Sequence, residues 1–310
     1  MAAEQSLDRK WPCLGLPANL EVPTQWEALL AEIETGWRRV IIIGATDTGK
    51  STLSQWLAQQ LSSQGRVAML DADVGQSRIG PPATVGWRFA EAKQGEFYFV
   101  GDVTPAACPA DCVAGTVRLV QRAERAGADY VIVDTSGFVD GPYALSLKKA
   151  KIELLSPALV VAIAPPRRLS HLTDPFIRDE SIHTFALEPL TCCKEKPRQQ
   201  RQRWRQQLFA AWLSGSHNQQ IDWQDRSLIN LPDRHHVQQA GADELRGLLI
   251  GLLDEQRIGQ ALGLLRTIDY HNRRLTILAP PEAQQAPTIQ FGRLRLEPDG
   301  TAIPGRPAFL

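Results

Sequence analysis

The feature that most constrains this chain is a glycine-rich loop between an apolar run and a segment with helical periodicity. The loop reads Gly-Ala-Thr-Asp-Thr-Gly-Lys-Ser over residues 44–51, directly after the apolar residues 40–43. This order fits the pattern G-x-x-x-x-G-K-[ST] with a strand before it and a helix after it, the context that gives the pattern its meaning. The sequence therefore predicts a phosphate-binding loop on an α/β sheet.

The residue types in this loop suit phosphate chemistry. Glycines at 44 and 49 permit the turn that directs backbone N–H groups at phosphates, and the following helix points its N-terminus at the anion. Lys50 can reach the β- and γ-phosphates, and the Ser51 hydroxyl can bind Mg²⁺. The residues predicted to bind the nucleotide are Gly44, Thr46, Asp47, Thr48, Gly49, Lys50, Ser51 and Thr52.

Composition narrows the class of protein. The 310 residues carry 34 basic and 34 acidic side chains, so a globally basic nucleic-acid binder is not indicated and any such contact needs a local patch. No stretch approaches the ~18 consecutive apolar residues of a membrane span, and the polar N-terminus lacks a signal core. We therefore expect a cytoplasmic protein without a membrane partner.

The cysteines and histidines give no sign of a metal or disulfide site. Five scattered cysteines argue against a disulfide framework, and we interpret them as reduced thiols: Cys13, Cys108, Cys112, Cys192 and Cys193. The six histidines, including His235 and His236, show no metal-ligand spacing.

Short apolar runs alternate with helical patterns along the first two thirds of the chain. Strands are predicted near residues 39–44, 66–71, 129–134 and 158–164, and helices near 49–63, 112–126, 142–155 and 197–213. Continuous apolar strands are typical of a mostly parallel sheet covered on both faces. The predicted organisation is a leader at 1–38, a P-loop domain at 39–230 with an arginine lid near 167–213, and a small β-rich domain at 231–310.

Carboxylates follow two of the predicted strands. Asp71 and Asp73 end the second strand, where the topology of a parallel sheet places ligands. One of these two acids can support Mg²⁺, with Ser51, and the other can accept a proton from an attacking hydroxyl. Asp134 ends the third strand, and a metal-linked acid or a capping residue before Gly137 are equally good interpretations.

A basic run occupies residues 194–205. On a helix, Arg198, Arg201 and Arg205 would share one face, and an apolar stripe of Trp204, Leu208 and Trp212 would share another. The run is interpreted equally well as a solvated face or as arginines that stabilise a moving phosphoryl group. Lys148, Lys149 and Lys151 could extend a basic patch, although solvated lysines are the commoner meaning.

Together these segments resemble the polynucleotide 5′-hydroxyl kinases, the family that includes the RNA-kinase subunit of the pre-mRNA cleavage factor. The resemblance spans about residues 39–300. Beyond the phosphate loop, four segments carry it: Asp-Ala-Asp-Val-Gly-Gln at 71–76, Gly-Asp-Val-Thr-Pro at 101–105, Asp-Thr-Ser-Gly-Phe at 134–138 and the arginine run. The C-terminal pattern Gly-Leu-Leu-Arg-Thr-Ile-Asp at 263–269 is like that of prokaryotic members.

The resemblance implies transfer of the ATP γ-phosphoryl group to the 5′-hydroxyl of RNA or DNA, with ATP and Mg²⁺ as cofactors. It implies that Asp73 is the base for the 5′-hydroxyl, which leaves Asp71 as the acid that supports Mg²⁺ with Ser51. It also implies that Arg198 and Arg203 are lid arginines beside Lys50. Residues implied to bind the acceptor or its phosphate are Gln76, Thr104, Thr135 and Phe138. RNA-processing proteins are the implied protein partners.

Departures from the family pattern keep other functions open. Phe138 stands where Trp is usual, and the segment after Thr104 continues Pro-Ala-Ala-Cys without a polar side chain. Both changes favour an ATP-bound scaffold subunit without turnover as the second hypothesis. A regulatory GTPase is the third, and the absence of an N-K-x-D or T-K-x-D sequence counts against it.

Overall fold

The computed structural model describes residues 15–17, 20–191, 193, 196–235, 237 and 244–305. Its first sheet has seven strands, which are β1 (Arg39–Gly44), β2 (Val67–Ala72), β3 (Thr84–Phe89), β4 (Glu96–Phe99), β5 (Tyr130–Thr135), β6 (Ala158–Ile163) and β7 (Ile182–Leu187). Six α-helices accompany this sheet in the described residues, namely α1 (Thr24–Glu34), α2 (Lys50–Leu61), α3 (Pro109–Arg125), α4 (Pro142–Leu154), α5 (Ser170–Thr173) and α6 (Arg198–Leu213).

The first sheet is mixed, with a parallel centre and an antiparallel edge. Its strand order is β4-β3-β2-β5-β1-β6-β7, in which β2, β5, β1, β6 and β7 run parallel and β3 and β4 are antiparallel. The predicted mostly parallel sheet is confirmed for the central strands. The antiparallel pair was not predicted, because polar residues interrupt β3, Thr-Val-Gly-Trp-Arg-Phe, and β4 is only four residues long.

Two hydrophobic cores cover the faces of this sheet. Alternate residues of β1 enter different cores, with Val40 and Ile42 in one and Ile41 and Ile43 in the other. The first core is covered by α1, α2 and α6, and the second by α3 and α4. Because every residue of β1 after Arg39 is buried, its sequence has no polar alternation.

A second sheet is made by the C-terminal part of the chain. Its strands are β8 (His217–Asp222), β9 (Ser227–Ile229), β10 (Leu248–Leu253), β11 (Gly259–Asp269), β12 (Arg274–Ala279) and β13 (Thr288–Arg295), in the order β8-β12-β11-β10-β13-β9. The predicted β-rich module is thus confirmed as a sheet. The sheet begins at His217, before the predicted boundary at 231. The sequence did not predict β8, because it is a polar edge strand without an apolar run.

The two sheets pack closely through aromatic side chains and glycines. A Cβ atom placed on Gly251 would lie 2.5 Å from Phe99, and one placed on Gly259 would meet the ring of Phe97. A Cβ atom placed on Gly101 would lie 2.7 Å from the Gly292 Cα atom. Next to this contact, the Arg293 amide donates to the Gly101 carbonyl over 2.8 Å. The C-terminal sheet therefore supports the segment 101–105 directly.

Some predictions fall on residues that the structure does not describe. Cys13, Cys192, His236 and the first 14 residues of the predicted leader lie outside the described ranges. The described cysteines Cys108 and Cys112 are buried and are not joined in a disulfide. No helix within the described ranges is long and apolar enough to cross a bilayer.

Candidate active site

The phosphate loop connects β1 to α2 at the carboxyl edge of the parallel strands. Gly49 adopts a left-handed φ of 98° and directly precedes α2, whose first helical bond runs from the Leu53 amide to the Gly49 carbonyl over 2.9 Å. This conformation favours glycine, since a side chain would be strained there. The amino end of α2 therefore opens into the loop, where its free N–H groups can bind an anion.

Neighbouring segments hold the loop at close range. A Cβ atom on Gly44 would lie 2.8 Å from the Ile163 carbonyl oxygen, and one on Gly137 would lie 2.6 Å from the Thr46 amide nitrogen. Only glycine fits at these two contacts. The loop is thus fixed between the ends of β6 and β5.

Lys50 lies across the interior of the loop. Its side chain is buried, and its Nζ donates to the Ala45 carbonyl over 2.6 Å. The Thr48 hydroxyl donates to the same carbonyl over 2.9 Å. The ammonium is therefore held where phosphates would meet the loop amides.

Three carboxylates lie beside the loop: strand register brings Asp71 and Asp134 together, and Asp73 follows directly after β2. Asp71 on β2 is the direct partner of Asp134 on β5, which is itself the partner of Ile42 on β1. Burial, followed by the charges of Asp134 and Asp73, raises the pKa of Asp71 well above its usual value. Burial also raises the pKa of Asp134, while the Lys50 charge and the Ser51 side chain act in the opposite direction. A cation at this position would relieve the shared cost of ionising these acids.

Asp71 and Asp73 shape the loop that follows β2. Asp71 accepts the Asp73 amide over 2.9 Å with one oxygen and the Arg78 amide over 2.5 Å with the other. Asp73 accepts the Gly75 and Gln76 amides over 3.0 and 3.1 Å with Oδ1 alone. Asp71 is thus engaged by backbone donors at both oxygens, whereas Asp73 keeps Oδ2 for other chemistry.

Asp134 fits a divalent cation better than Asp71 does. Its Oδ1 is buried without a hydrogen-bond partner among the described residues, beside Ser51. No group of three His, Cys, Asp or Glu in the described residues is arranged to hold a metal ion. A Mg²⁺ ion here would therefore take one or two protein ligands, and the rest from phosphates and water, as Mg²⁺ commonly does.

One cavity of about 230 Å³ joins the loop and the acids. Its walls include most of the predicted set, namely Thr46, Asp47, Thr48, Gly49, Lys50, Ser51, Thr52, Asp71, Asp73, Gln76 and Thr135. Arg78 also lines it, and sequence reasoning missed that residue; its position two residues after Gln76 was the available signal. The predicted residues outside this lining are Gly44, Thr104, Phe138, Arg198 and Arg203. Gly44 packs on Ile163, Thr104 is exposed and Phe138 packs partly on the second core.

Both interpretations of the three lysines, a solvated face and a basic patch, are wrong for Lys148 and Lys151. Lys148 and Lys151 are each 1% exposed, because they lie three residues apart on the face of α4 that packs on the sheet. Lys148 Nζ donates to the Thr135 hydroxyl over 2.8 Å and to the Ser136 carbonyl over 2.6 Å. The Thr135 hydroxyl in turn donates to the Ile42 carbonyl over 2.7 Å. Only Lys149 of the three is on the surface, in an ion pair with Glu153.

The arginines of α6 approach the cavity at two points. Arg201 Nη1 lies 3.8 Å from the Asp47 carboxylate, and Arg205 Nη1 donates to the Gly75 carbonyl over 3.3 Å. Burial lowers the pKa of Arg205, and the Asp73 charge partly offsets this. Arg198 and Arg203 are exposed. Of the three arginines that helical periodicity placed on one face, Arg201 and Arg205 therefore approach the cavity and Arg198 does not.

The predicted apolar stripe of α6 needs one correction. Trp204 is 41% exposed, and the buried residues of the helix are Leu208, Phe209, Trp212 and Leu213. Trp212 packs edge-on against Phe97 at a centroid distance of 5.3 Å. The helix turns its second half, rather than its first, into the core.

Comparison with known proteins agrees with this architecture. Residues 44–215 match a family model described as the P-loop of the mRNA cleavage and polyadenylation factor CLP1. The chain is 29% identical to a polyribonucleotide 5′-hydroxyl-kinase of Methanocaldococcus jannaschii, with 86% of this chain and 89% of that protein covered. It is 30% identical to the protein of the same name from Pyrococcus horikoshii, with 85% and 87% covered.

A solved structure shares the fold. The Clp1p chain of a wild-type Clp1p–Pcf11p complex superposes with a TM-score of 0.63 at 13% identity. The superposition covers 87% of this chain and 78% of Clp1p. At this identity the likeness bears on architecture alone.

Proposed function

The chain belongs to the CLP1 P-loop family, and on that premise we propose that it is a polynucleotide 5′-hydroxyl kinase that uses ATP and acts on RNA. The observation that carries the proposal is one cavity with a phosphate loop on one wall and Asp73 on another. A kinase needs this pairing of a donor cradle with an acceptor base. The relatives that cover most of the chain are named for RNA 5′-hydroxyl ends.

Asp73 is the proposed base. Its Oδ1 is fixed by two backbone amides, which leaves Oδ2 to accept the proton of the 5′-hydroxyl. The hydroxyl oxygen then forms a bond to the γ-phosphorus while the bond between that phosphorus and the β,γ-bridging oxygen breaks. The products are a 5′-phosphorylated end, ADP and a proton on Asp73 that passes to solvent.

Cationic groups would stabilise the charge that develops on the phosphoryl group. Lys50 and the amino end of α2 lie on the loop side of the cavity, and Arg205 lies on the Asp73 side. Ser51 and Asp134 would hold Mg²⁺, which supplies charge neutralisation when bound. The assignment of Arg198 and Arg203 as lid arginines stays a prediction, as does that of Asp71 as a metal ligand.

The acceptor side is assigned less fully. Gln76 lies in the loop that carries Asp73 and lines the cavity, so it is the proposed contact to the acceptor end. The Thr135 hydroxyl already has two partners inside the protein. Roles for Thr104 and Phe138, DNA as a second substrate, RNA-processing partners and a cytoplasmic location stay predictions from the sequence.

The test is transfer of labelled γ-phosphate from ATP, and separately from GTP, to RNA and DNA oligonucleotides with 5′-hydroxyl ends. Wild-type protein should phosphorylate RNA, and Asp73→Asn should lose about 10²–10⁴-fold in rate, the usual share of a general base. Asp73→Asn should keep ATP binding, whereas Lys50→Ala should weaken both. Wild-type turnover in Asp73→Asn would refute the base assignment.

A failed transfer assay would also be informative. If wild-type protein binds ATP tightly yet phosphorylates neither oligonucleotide, the kinase proposal is wrong and the ATP-bound scaffold takes its place. A preference for GTP over ATP in binding would instead favour the regulatory GTPase.

A further inference from the structure

The phosphate loop contains a carboxylate, which is an unexpected residue beside an anionic ligand. Asp47 lies in the middle of the loop with a left-handed φ of 58°, and its side chain is 12% exposed. Asp tolerates that backbone conformation better than most residues. An unneutralised carboxylate there would repel phosphates, so the structure must offset its charge.

The offset comes from the segment that leads into α6. Asp47 Oδ2 accepts the Lys196 amide over 2.9 Å and lies 3.8 Å from Arg201 Nη1. The Arg201 side chain is 23% exposed, so this pair is less screened by solvent than an ordinary surface ion pair. Both partners belong to the proposed lid, one just before the helix and one in its first turn.

The same segment touches the loop at a second point. The Leu190 amide donates to the Thr48 carbonyl over 3.4 Å. A Cβ atom on Gly49 would lie 2.8 Å from Leu190 Cδ1, so the leucine covers the loop glycine directly. Contacts at Thr48, Gly49 and Asp47 therefore dock this segment along the loop.

We propose that Asp47 is a positioning residue that anchors the lid through Arg201. It does not bind the nucleotide with its side chain, in contrast to the sequence prediction for this residue. With α6 held at its first turn by Asp47, Arg205 one turn later reaches the Gly75 carbonyl in the loop of Asp73. The anchor would thus set the distance between the lid arginines and the reacting groups.

This inference rests on the proposed function, and it predicts which kinetic constant changes. If Asp47 positions arginines that act on the moving phosphoryl group, its loss should lower kcat while KM for ATP changes little. If the side chain instead contacted the nucleotide, KM for ATP would change first. The two roles are therefore separable in one kinetic experiment.

The test uses two substitutions that suit a left-handed residue. Asp47→Asn removes the charge and keeps an acceptor for the Lys196 amide, while Asp47→Gly removes both. We expect kcat to fall about tenfold in Asp47→Gly, an effect of the size that coupling between residues in contact commonly has. The fall should be smaller in Asp47→Asn. A raised KM for ATP with an unchanged kcat would overturn the proposal.

A double-variant comparison identifies the partner. If Asp47 acts through Arg201, the Asp47→Gly/Arg201→Ala protein should be no slower than the slower single variant, within about twofold. The matched control is Asp47→Gly/Gln202→Ala, which alters an exposed residue next to Arg201 on the same helix and whose effects on kcat should multiply. Multiplying losses in the Arg201 pair would contradict an anchor through that residue.

A readout independent of catalysis separates this proposal from the proposed function. Tryptic cleavage within residues 198–205 should be faster in Asp47→Gly than in wild-type protein, because the undocked helix start is more accessible. Equal cleavage rates would refute the anchor even if the protein is a kinase. Faster cleavage in a protein without transfer activity would support the anchor and leave the kinase proposal refuted.

Discussion

The two sheets of the molecule bury very different side chains. At the carboxyl ends of the first sheet lie buried ionisable groups, including Lys50, Asp71, Asp134 and Lys148. Among the described residues of the second sheet, the buried polar side chains are Gln219, Thr288 and Gln290, and none is charged. The buried Gln219 side chain has a structural role, since its amide donates to the Ala279 and Pro280 carbonyls over 2.8 and 2.9 Å.

This contrast separates chemistry from support. Burying charged groups costs free energy, so buried charges are found mainly where they take part in chemistry. The first sheet has such buried charges at its carboxyl edge, where Asp134 Oδ1 also lacks a hydrogen-bond partner among the described residues. The second sheet has no buried charge among its described residues and packs a large apolar core instead.

The largest effect is expected from a substitution among the buried acids at the carboxyl edge of the first sheet. Asp134→Asn should lower the transfer rate by about 10²–10³-fold, as expected when a preorganised charge-stabilising group is lost. A Mg²⁺ titration of the rate should show a weaker apparent affinity. Asp71→Asn is the comparison variant: it should also slow transfer, because Asp71 holds the loop of Asp73, but it should leave the apparent Mg²⁺ affinity closer to wild type. Unchanged Mg²⁺ dependence in Asp134→Asn would transfer the metal role away from this residue.

The next effect tests the supporting role of the second sheet. Leu275 is fully buried on β12, and Leu275→Ala should lower the free energy of unfolding by about 2–5 kcal/mol, measured by urea denaturation. Transfer by the folded fraction should stay close to wild type. A tenfold loss of kcat in folded protein would show that this sheet takes part in chemistry.

A smaller effect concerns the buried amine behind the site. Burial, with the charges of Lys151 and Lys50, lowers the pKa of Lys148 well below 10.5. Between the folded and unfolded pKa values the unfolded state binds more protons, so stability rises with pH across that interval. The slope is at most about 1.4 kcal/mol per pH unit for one group.

Lys148→Met should make this rise shallower in urea titrations from neutral to alkaline pH. Lys149→Met is the matched control, because Lys149 is on the surface and its loss should leave the slope nearly unchanged. Equal slopes in wild-type and Lys148→Met proteins would mean that the amine is protonated in the folded state at all these pH values.

The smallest effect is expected at the surface. Arg168 donates to both oxygens of Asp140 over 2.8 and 2.9 Å, but both side chains are about half exposed or more. Arg168→Ala should therefore change the free energy of unfolding by less than about 1 kcal/mol. A larger loss, or a change in the transfer rate, would mean that the polar edge extends further than the buried groups indicate.

Local patterns made the centre of the fold predictable. Strands β1, β2, β5 and β6 are short apolar runs, and the phosphate loop is contiguous in sequence, so both could be recognised without tertiary contacts. Strand β8 could not, because its sequence is polar and its place comes from pairing with β12.

The site was predictable where one segment carries it and not where segments meet. The loop and Asp73 were located because each motif is local. The approach of Arg201 to Asp47 and of Arg205 to Gly75 joins residues more than 100 positions apart, which no local pattern encodes. The burial of Lys148 depends on which face of α4 packs on the sheet, and the lysine-rich stretch obscured that face.

The contact between Phe97 and Gly259 constrains how the chain can evolve. Any side chain at 259 would occupy space already filled by the ring at 97, so the two positions must change together. Gly251 and Phe99 form a second such pair. The C-terminal sheet is therefore not a cassette that recombination can exchange freely among P-loop proteins, because each new version would have to bring a matching β4.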